Sequence, residues 1–182
     1  WMYSDDPQPY HSFGNGAAMR VSAVGFAARN MNEVKALSRA VTAISHDHPE
    51  GLKGAESVAM AIFLARQSKT KQQIRGHIEQ NYYKIGFTLD EIRGTYEFNE
   101  TCQNTVPQAF EAFFEAKDFE DAIRNAVSVG GDSDTLAAIT GSIAEAYFGI
   151  PFDLRKKAER YLENDTFRPI FTWLKRFEKM FP

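Results

Sequence analysis

The stretch VGGDSDTLAAITGSIAEAYFG, Val129–Gly149, decides the fold and holds the most informative motif of the chain. Two acidic residues, Asp132 and Asp134, follow a Gly-Gly pair, and Thr135 comes directly after them. The remainder is a run of small and apolar residues at helical spacing, which predicts a buried helix that begins with carboxylates. A tightly packed helix of this kind is a stiff platform for a functional site.

The same helical periodicity continues outward in both directions, since apolar residues recur at intervals of three and four. A looser section covers residues 84–105, and no alternating run is long enough to predict a strand. The sequence therefore predicts an all-α protein with a single domain over residues 1–182. The predicted helices cover residues 17–29, 33–44 with Asn32 as N-cap, 54–68, 70–83, a segment opened by Val106 and Pro107, 119–129 with Asp118 as N-cap, 153–163 and 166–180.

Composition narrows the function classes. The 182 residues are 43% hydrophobic and 25% charged, which is typical of an ordinary soluble domain. The net charge of −3 argues against a protein that binds nucleic acid or anionic membranes. A single cysteine, Cys102, fits a reducing compartment. Since the chain shows neither a signal peptide nor a membrane span, we expect a cytoplasmic protein.

The first two residues raise a separate question, because Trp1 stands before Met2. A protein does not normally start with tryptophan. We therefore expect that the chain either carries an added first residue or begins inside a longer protein. A native start at Met2 would favour a shortened member of its family.

The acidic motif has two interpretations of about equal weight. One Asp or Ser side chain could simply cap the predicted helix. A cap needs only one acceptor, however, whereas this segment offers two carboxylates, and Gly130 and Gly131 before them leave room for a close approach. Carboxylate and hydroxyl oxygens are the ligands that Mg²⁺ and Mn²⁺ prefer.

Two shorter motifs lie upstream. SFGNGAAMR, Ser12–Arg20, is a turn before a helix, and it could be no more than a loop, or it could offer Asn15 and backbone N–H groups to a phosphate or a ribose. SHDHPEG, Ser45–Gly51, has two interpretations as well. His46 could simply lie at a helix C-terminus, where cations are favoured, or the histidines could bind a metal or a substrate. We interpret Arg20, Glu50, Glu56 and Glu145 as structural charges and Cys102 as an inert thiol.

Taken in this order, GNGAAMR, SHDHPEG and GGDSDTLAAITGSIAEAYFG resemble the ADP-ribosylglycohydrolase family, the relatives of dinitrogenase reductase-activating glycohydrolase. The correspondence runs from about Pro9 to Gly149. It implies a compact multi-helix orthogonal bundle, and it implies a two-metal site for Mg²⁺ or Mn²⁺ beside a cleft for ADP-ribose.

The resemblance also implies roles for individual residues. Metal ligands would be Asp132, Asp134 and Thr135. The lining of the ADP-ribose cleft would be Ser12, Phe13, Gly14, Asn15, Gly16, Met19, His46, Gly130 and Gly131. Ser45 stands where the family has a threonine, and His48 and Pro49 match the usual continuation in a supporting role. The partner would be ADP-ribose, or a protein or small molecule that carries it.

One departure from the family pattern affects the chemistry. The family's N-terminal part has a glycine-rich acidic motif and a Thr-Asp-Asp-Thr metal motif, and neither is found in these residues. In SDDP, Ser4–Pro7, a proline replaces the final threonine, so we assign no metal role to Asp5 or Asp6. The family's usual catalytic acid is therefore unassigned in this chain.

Three functional hypotheses follow. The chain is a hydrolase that removes ADP-ribose through a dinuclear Mg²⁺ or Mn²⁺ centre, or a non-catalytic ADP-ribose-binding or structural relative, or one half of a split enzyme. Loss of the N-terminal helices should expose apolar surface on the remaining bundle. We expect self-association or a separate N-terminal chain to cover that surface.

Overall fold

The computed structural model describes residues 3, 5–162 and 166–181. Trp1, Met2 and Ser4, together with the end of the helix predicted over 153–163, lie outside this part. The described residues form eleven helices and no strand, which confirms the all-α prediction, and Gly14 and Thr101 form an isolated antiparallel bridge. The helices are α1 (Gly16–Met19), α2 (Ser22–Ala27), α3 (Met31–Thr42), α4 (Pro49–Arg66), α5 (Lys71–Asn81), α6 (Leu89–Ile92), α7 (Cys102–Glu115), α8 (Phe119–Val129), α9 (Ser133–Phe148), α10 (Phe152–Leu162) and α11 (Arg168–Met180).

Several predicted helix starts are wrong, and local capping explains two of them. The N-cap of α3 is Asn30 and not Asn32, because the Asn30 side chain accepts a hydrogen bond from the backbone of Glu33 at 3.0 Å. Helix α4 begins at Pro49, five residues earlier than predicted, since the His48 ring accepts a hydrogen bond from the Glu50 backbone N–H. Proline at the first helical position and a side-chain acceptor before it both favour a helix start.

Two further helices differ from the sequence interpretation. The single helix predicted over 17–29 is divided into α1 and α2, because the backbone leaves the helix at Arg20 and Val21. Helix α7 begins at Cys102, so Pro107 lies inside the helix and removes one intrahelical hydrogen bond there. At α8 the prediction is confirmed, since Asp118 accepts a hydrogen bond from the Asp121 backbone at 2.8 Å.

The chain divides into two compact units, residues 1–148 and 149–182. In the first unit, α4 occupies the centre and contacts α1, α2, α3, α5, α7 and α9. Twelve of its residues are buried, including an almost continuous run from Ala55 to Ala65. A helix that is apolar on every side must be covered on every side. Helix α4 is therefore the axis of the bundle.

Helix α9 is the second internal helix and packs against α4, α7 and α8. A Cβ atom placed on Gly141 would lie 2.9 Å from Cδ1 of Ile123 in α8. The Thr140 hydroxyl donates a hydrogen bond to the Ala109 carbonyl in α7 at 2.9 Å. The close approach predicted from the small residues of this helix is thus confirmed.

The second unit contains α10 and α11. Glu159 of α10 accepts hydrogen bonds from Lys175 at 2.6 Å and from Arg155 at 3.2 Å. The hydrogen bond from Lys175, with those from Arg155 and Lys156, lowers the pKa of Glu159 to about 2 against the effect of burial. These ion pairs join the two helices of this unit.

Some large apolar side chains are exposed on the described part of the chain. They occur at Leu37 and Val41 on α3, at Ile44 just after α3, and on α11 at Ile170, Trp173 and Met180. What covers these side chains stays a prediction. In the described residues, no helix combines the length and the apolar character that crossing a bilayer requires.

An ion pair between α5 and α7 leads to a stability prediction. The carboxylate of Glu111 is buried and accepts a hydrogen bond from Arg75 at 2.5 Å. Burial raises the pKa of Glu111, and Arg75 opposes this effect. Arg75→Met should lower the free energy of unfolding by about 2–3 kcal/mol, since it leaves a buried carboxyl without its partner.

Urea denaturation measures this change, and Arg124→Met is the matched control. Arg124 pairs with Glu120 across one helical turn at the surface. Removing such a pair should cost less than about 0.5 kcal/mol. Equal losses in the two variants would show that the Arg75 pair contributes no more than a surface pair.

Candidate functional site

Asn15 joins the first and the last of the sequence motifs. Its side-chain amide donates hydrogen bonds to Oδ2 of Asp132 at 2.6 Å and to Oγ1 of Thr105 at 3.1 Å. The amide nitrogen also lies 3.3 Å from the backbone carbonyl oxygen of Asn99. Because an ionised carboxylate only accepts hydrogen bonds, the amide nitrogen must face Asp132. Asn15 is 7% exposed, so its amide is committed to this protein network.

The loop before α1 is fixed by the segment that leads into α7. The backbone N–H of Asn15 donates to the Glu100 carbonyl at 2.7 Å, and Cys102 donates its backbone N–H to the Phe13 carbonyl at 3.0 Å. The Cys102 thiol lies 3.2 Å from the Gly14 carbonyl oxygen. Burial raises the pKa of Cys102 to about 12, so the thiol is protonated and can donate to that oxygen. The predicted inert thiol therefore supports the loop.

His46 of the second motif lies against the same loop. A Cβ atom on Gly14 would lie 3.6 Å from Nε2 of His46, and one on Gly16 would lie 3.7 Å from it. The other ring nitrogen, Nδ1, lies 2.8 Å from the Ser45 hydroxyl and 3.0 Å from the Arg20 guanidinium. Burial, followed by the positive charge of Arg20, lowers the pKa of His46. Both effects favour the neutral imidazole over the charged form.

The acidic motif forms the start of α9. The backbone carbonyl of Asp132 accepts the hydrogen bond from Leu136 N–H at 3.0 Å, which makes Asp132 the residue at the helix boundary. Side-chain hydrogen bonding with Asp132, and then the backbone N–H groups of Thr135 and Asp134, lower the pKa of Asp134. The two carboxyl groups are thus close together at a helix N-terminus, where negative charge is favoured.

The two glycines before the acids have conformations that favour glycine. Their φ values are +80° at Gly130 and +60° at Gly131. Beside Gly131 the ring of Tyr96 comes so close that a Cβ atom there would lie 2.6 Å from Cε1. Around Gly130 there is open space. The predicted role of both glycines in substrate binding stays a prediction.

The remaining predicted residues lie on the same loop and first helix. The Ser12 hydroxyl accepts a hydrogen bond from the Gly14 backbone at 3.2 Å. Phe13 and Met19 are partly exposed, and the Met19 sulfur lies 3.6 Å from the Thr135 hydroxyl. The structure therefore brings the first motif into contact with each of the other two, although 117 positions separate Asn15 from Asp132.

The oxygen atoms at the start of α9 could form one side of a cation site. Asp132, Asp134 and Thr135 provide two carboxylates and a hydroxyl within four positions at one helix end. Across the part of the chain that the structure describes, no three His, Cys, Asp or Glu side chains form a group that could hold a metal ion. Mg²⁺ takes about six oxygens in octahedral geometry, so these residues fit part of its shell and not the whole.

Sequence reasoning missed two members of the site. Arg20, which we interpreted as a structural charge, donates from its guanidinium to Ser45 at 2.6 Å and to His46 at 3.0 Å. Thr105 fell in the section predicted to be loose, yet its hydroxyl accepts from Asn15 and donates to the Asn99 carbonyl at 3.0 Å. Arg20 could have been found from the sequence, because it lies one helical turn after Gly16 in the same motif. Thr105 belongs to none of the three motifs, so no local pattern indicates it.

Known proteins resemble the chain over most of its length. A family model described as ADP-ribosylglycohydrolase matches residues 2–179. Human ADP-ribosylhydrolase ARH3 is 28% identical over 203 aligned positions, which cover 85% of this chain and 56% of that protein. An uncharacterised protein of Archaeoglobus fulgidus is 30% identical over 81% of this chain and 52% of its own length. The chain thus spans about half the length of the curated relatives it matches.

Solved structures confirm the fold. An ADP-ribosylglycohydrolase-related protein complex aligns with a TM-score of 0.64 over 83% of this chain and 57% of that one. The sequences are 24% identical, so this likeness concerns the fold alone. The helical architecture described above is therefore shared with that protein.

Proposed function

The chain belongs to the ADP-ribosylglycohydrolase family, and we propose that its three contacting motifs bind the ADP-ribosyl group of a modified protein or small molecule for hydrolytic removal. The observation that carries this proposal is the 2.6 Å hydrogen bond between Asn15 and Asp132. It joins the glycine-rich loop to the acidic end of α9. Both halves of the site are thereby held in one fixed arrangement.

The loop residues suit a ligand that contains a diphosphate and two riboses. Gly14 and Gly16 have no side chain, so a ligand can approach their backbone closely. Nε2 of His46 faces these glycines, and a neutral imidazole can donate one hydrogen bond to an oxygen of the ligand. Phe13 is partly exposed beside them and offers an apolar ring. These groups would orient the ADP-ribose without taking part in bond breaking.

The reaction would break the bond between the anomeric carbon of the ribose and the nitrogen or oxygen of the modified group. A water oxygen forms the new bond to that carbon, and the released group takes the bonding electron pair and a proton. Positive charge that develops on the ribose during this step is stabilised by nearby carboxylates. In this chain the Asp132 carboxylate contacts Asn15 of the glycine-rich loop, and Asp134 lies two positions after Asp132.

Mg²⁺ or Mn²⁺ belongs to the same proposal. Asp132, Asp134 and Thr135 would hold one side of the centre, and water, substrate oxygens or groups outside this chain would complete it. When bound, such a cation orients ribose hydroxyls and makes a bound water more acidic. Asn15 would contribute by holding the Asp132 carboxylate in position through its hydrogen bond to Oδ2.

Calorimetric titration of ADP-ribose, with and without Mg²⁺ or Mn²⁺, tests the proposal. We expect binding that the cation strengthens at least about tenfold, because the cation would contact both the carboxylates and the ligand. Asp134→Asn should remove this cation dependence. Asp118→Asn is the matched control, since asparagine caps a helix as well as aspartate does and Asp118 serves only as the N-cap of α8.

The outcomes separate the candidate functions. Cation-dependent binding that is lost in Asp134→Asn supports the hydrolase site and leads directly to an assay of ADP-ribose release. Binding of equal strength with and without the cation supports the non-catalytic ADP-ribose-binding relative. If ADP-ribose does not bind under either condition, the proposed site is wrong for the chain on its own.

A further inference from the structure

We propose that Arg20 is a positioning residue that fixes the tautomer of His46, so that Nε2 of the imidazole carries the proton and faces Gly14 and Gly16 as a hydrogen-bond donor. The contacts at Nδ1 lead to this inference. The Arg20 guanidinium lies 3.0 Å from Nδ1, and the Ser45 hydroxyl lies 2.8 Å from it. Arg20 itself is at the end of α1, four residues after Gly16.

The guanidinium decides between the two tautomers because it is always a donor. If Nδ1 carried the proton, Ser45 could accept it, but the N–H would still lie 3.0 Å from a cationic N–H donor, which is unfavourable. If Nδ1 carries only its lone pair, Arg20 donates to it and the contact is favourable. A neutral imidazole has one proton, which must then be on Nε2.

Ser45 cannot make this choice by itself. A hydroxyl both donates and accepts, so the 2.8 Å contact with Nδ1 suits either tautomer. With Arg20 present the orientation of the hydroxyl is settled. The guanidinium donates to Oγ at 2.6 Å, so the hydroxyl proton is directed toward Nδ1, where it shares the single lone pair with the guanidinium. Arg20 therefore orders the hydroxyl as well as the ring.

The tautomer matters because of where Nε2 lies. Nε2 lies over the two glycines of the loop, and among the residues that the structure describes it has no hydrogen-bonding partner. Burial and the charge of Arg20 both keep the ring neutral by lowering the pKa of His46. The site therefore presents one N–H donor toward the glycine loop. In the other tautomer a lone pair would face that space and would repel an anionic ligand oxygen. This consequence for ligand binding rests on the proposed function.

The test measures the tautomer directly in the protein without any ligand. The ¹⁵N chemical shifts of the His46 ring distinguish a protonated from an unprotonated nitrogen. We expect Nε2–H in the wild-type chain and in Arg20→Lys, which retains a cationic donor. Ser45→Ala should also retain Nε2–H, because Arg20 remains.

Arg20→Met should show a mixture of the two tautomers. Arg29→Met is the matched control, since the Arg29 side chain is 87% exposed, and it should behave like the wild type.

Binding supplies the second readout. An equal mixture of tautomers in Arg20→Met should weaken ADP-ribose binding about twofold, because only the Nε2–H fraction is competent to bind, and Arg20→Lys should recover the affinity. The inference is overturned if the wild type carries Nδ1–H, a result that needs no variant to fold, or if Arg20→Met retains Nε2–H alone. If the tautomers follow the expectation while ADP-ribose binds to none of the proteins, the proposed function fails and the role of Arg20 stands.

Discussion

Asn15→Asp should reduce the affinity for ADP-ribose on the order of 100-fold, the largest functional effect we expect from a single substitution. The new carboxylate would face Asp132 where the amide nitrogen now donates at 2.6 Å. Two carboxylates at this distance repel each other unless they share a proton. The change also removes the donor to Thr105. We expect the loop and the acidic end of α9 to separate, which calorimetric titration of ADP-ribose would detect.

Asn30→Asp is the matched control for this substitution. Asn30 caps α3 through a hydrogen bond from Glu33 N–H, and aspartate serves equally well at that position. Its affinity for ADP-ribose should equal that of the wild type. A wild-type affinity in Asn15→Asp as well would show that the Asn15–Asp132 hydrogen bond does not hold the site together.

Gly25→Ala should lower the free energy of unfolding by about 1–3 kcal/mol, although alanine is the better helix former. Helix α2 contacts α4 so closely at this point that the added Cβ would lie 2.5 Å from Cβ of Ile62. It would also lie 2.7 Å from the carbonyl oxygen of Ala59, which is part of the α4 backbone and cannot rotate away. The two helices would have to move apart, and urea denaturation measures the cost.

Gly76→Ala makes the same chemical change where the opposite result is expected. Gly76 lies inside α5, and no atom lies within 4 Å of the position that its Cβ would occupy. Here only the helix preference counts, so the free energy of unfolding should rise by about 0.5–1 kcal/mol. Destabilisation by both substitutions would contradict the argument from helix contact at Gly25.

Much of the fold and of the site could be predicted from local sequence. The periodic spacing of apolar residues identified most of the helices, because one face of each must enter a core. The small residues of Val129–Gly149 predicted a helix with close neighbours, which the contact of Gly141 with Ile123 confirms. Helix boundaries were less predictable. The start of α4 depends on the His48 ring, a side chain that seldom serves as a cap.

The sequence by itself determined the fold class, the family and the set of motifs, because each of these depends on residue types at short separations along the chain. Only the tertiary structure decided which side chains meet. Asn15 contacts Asp132 and Thr105 because α1, α7 and α9 all pack around the bundle at one point. Arg20 turns toward His46 because the backbone leaves the helix between α1 and α2. Such contacts depend on where packed helices bring distant residues, and no local pattern records that.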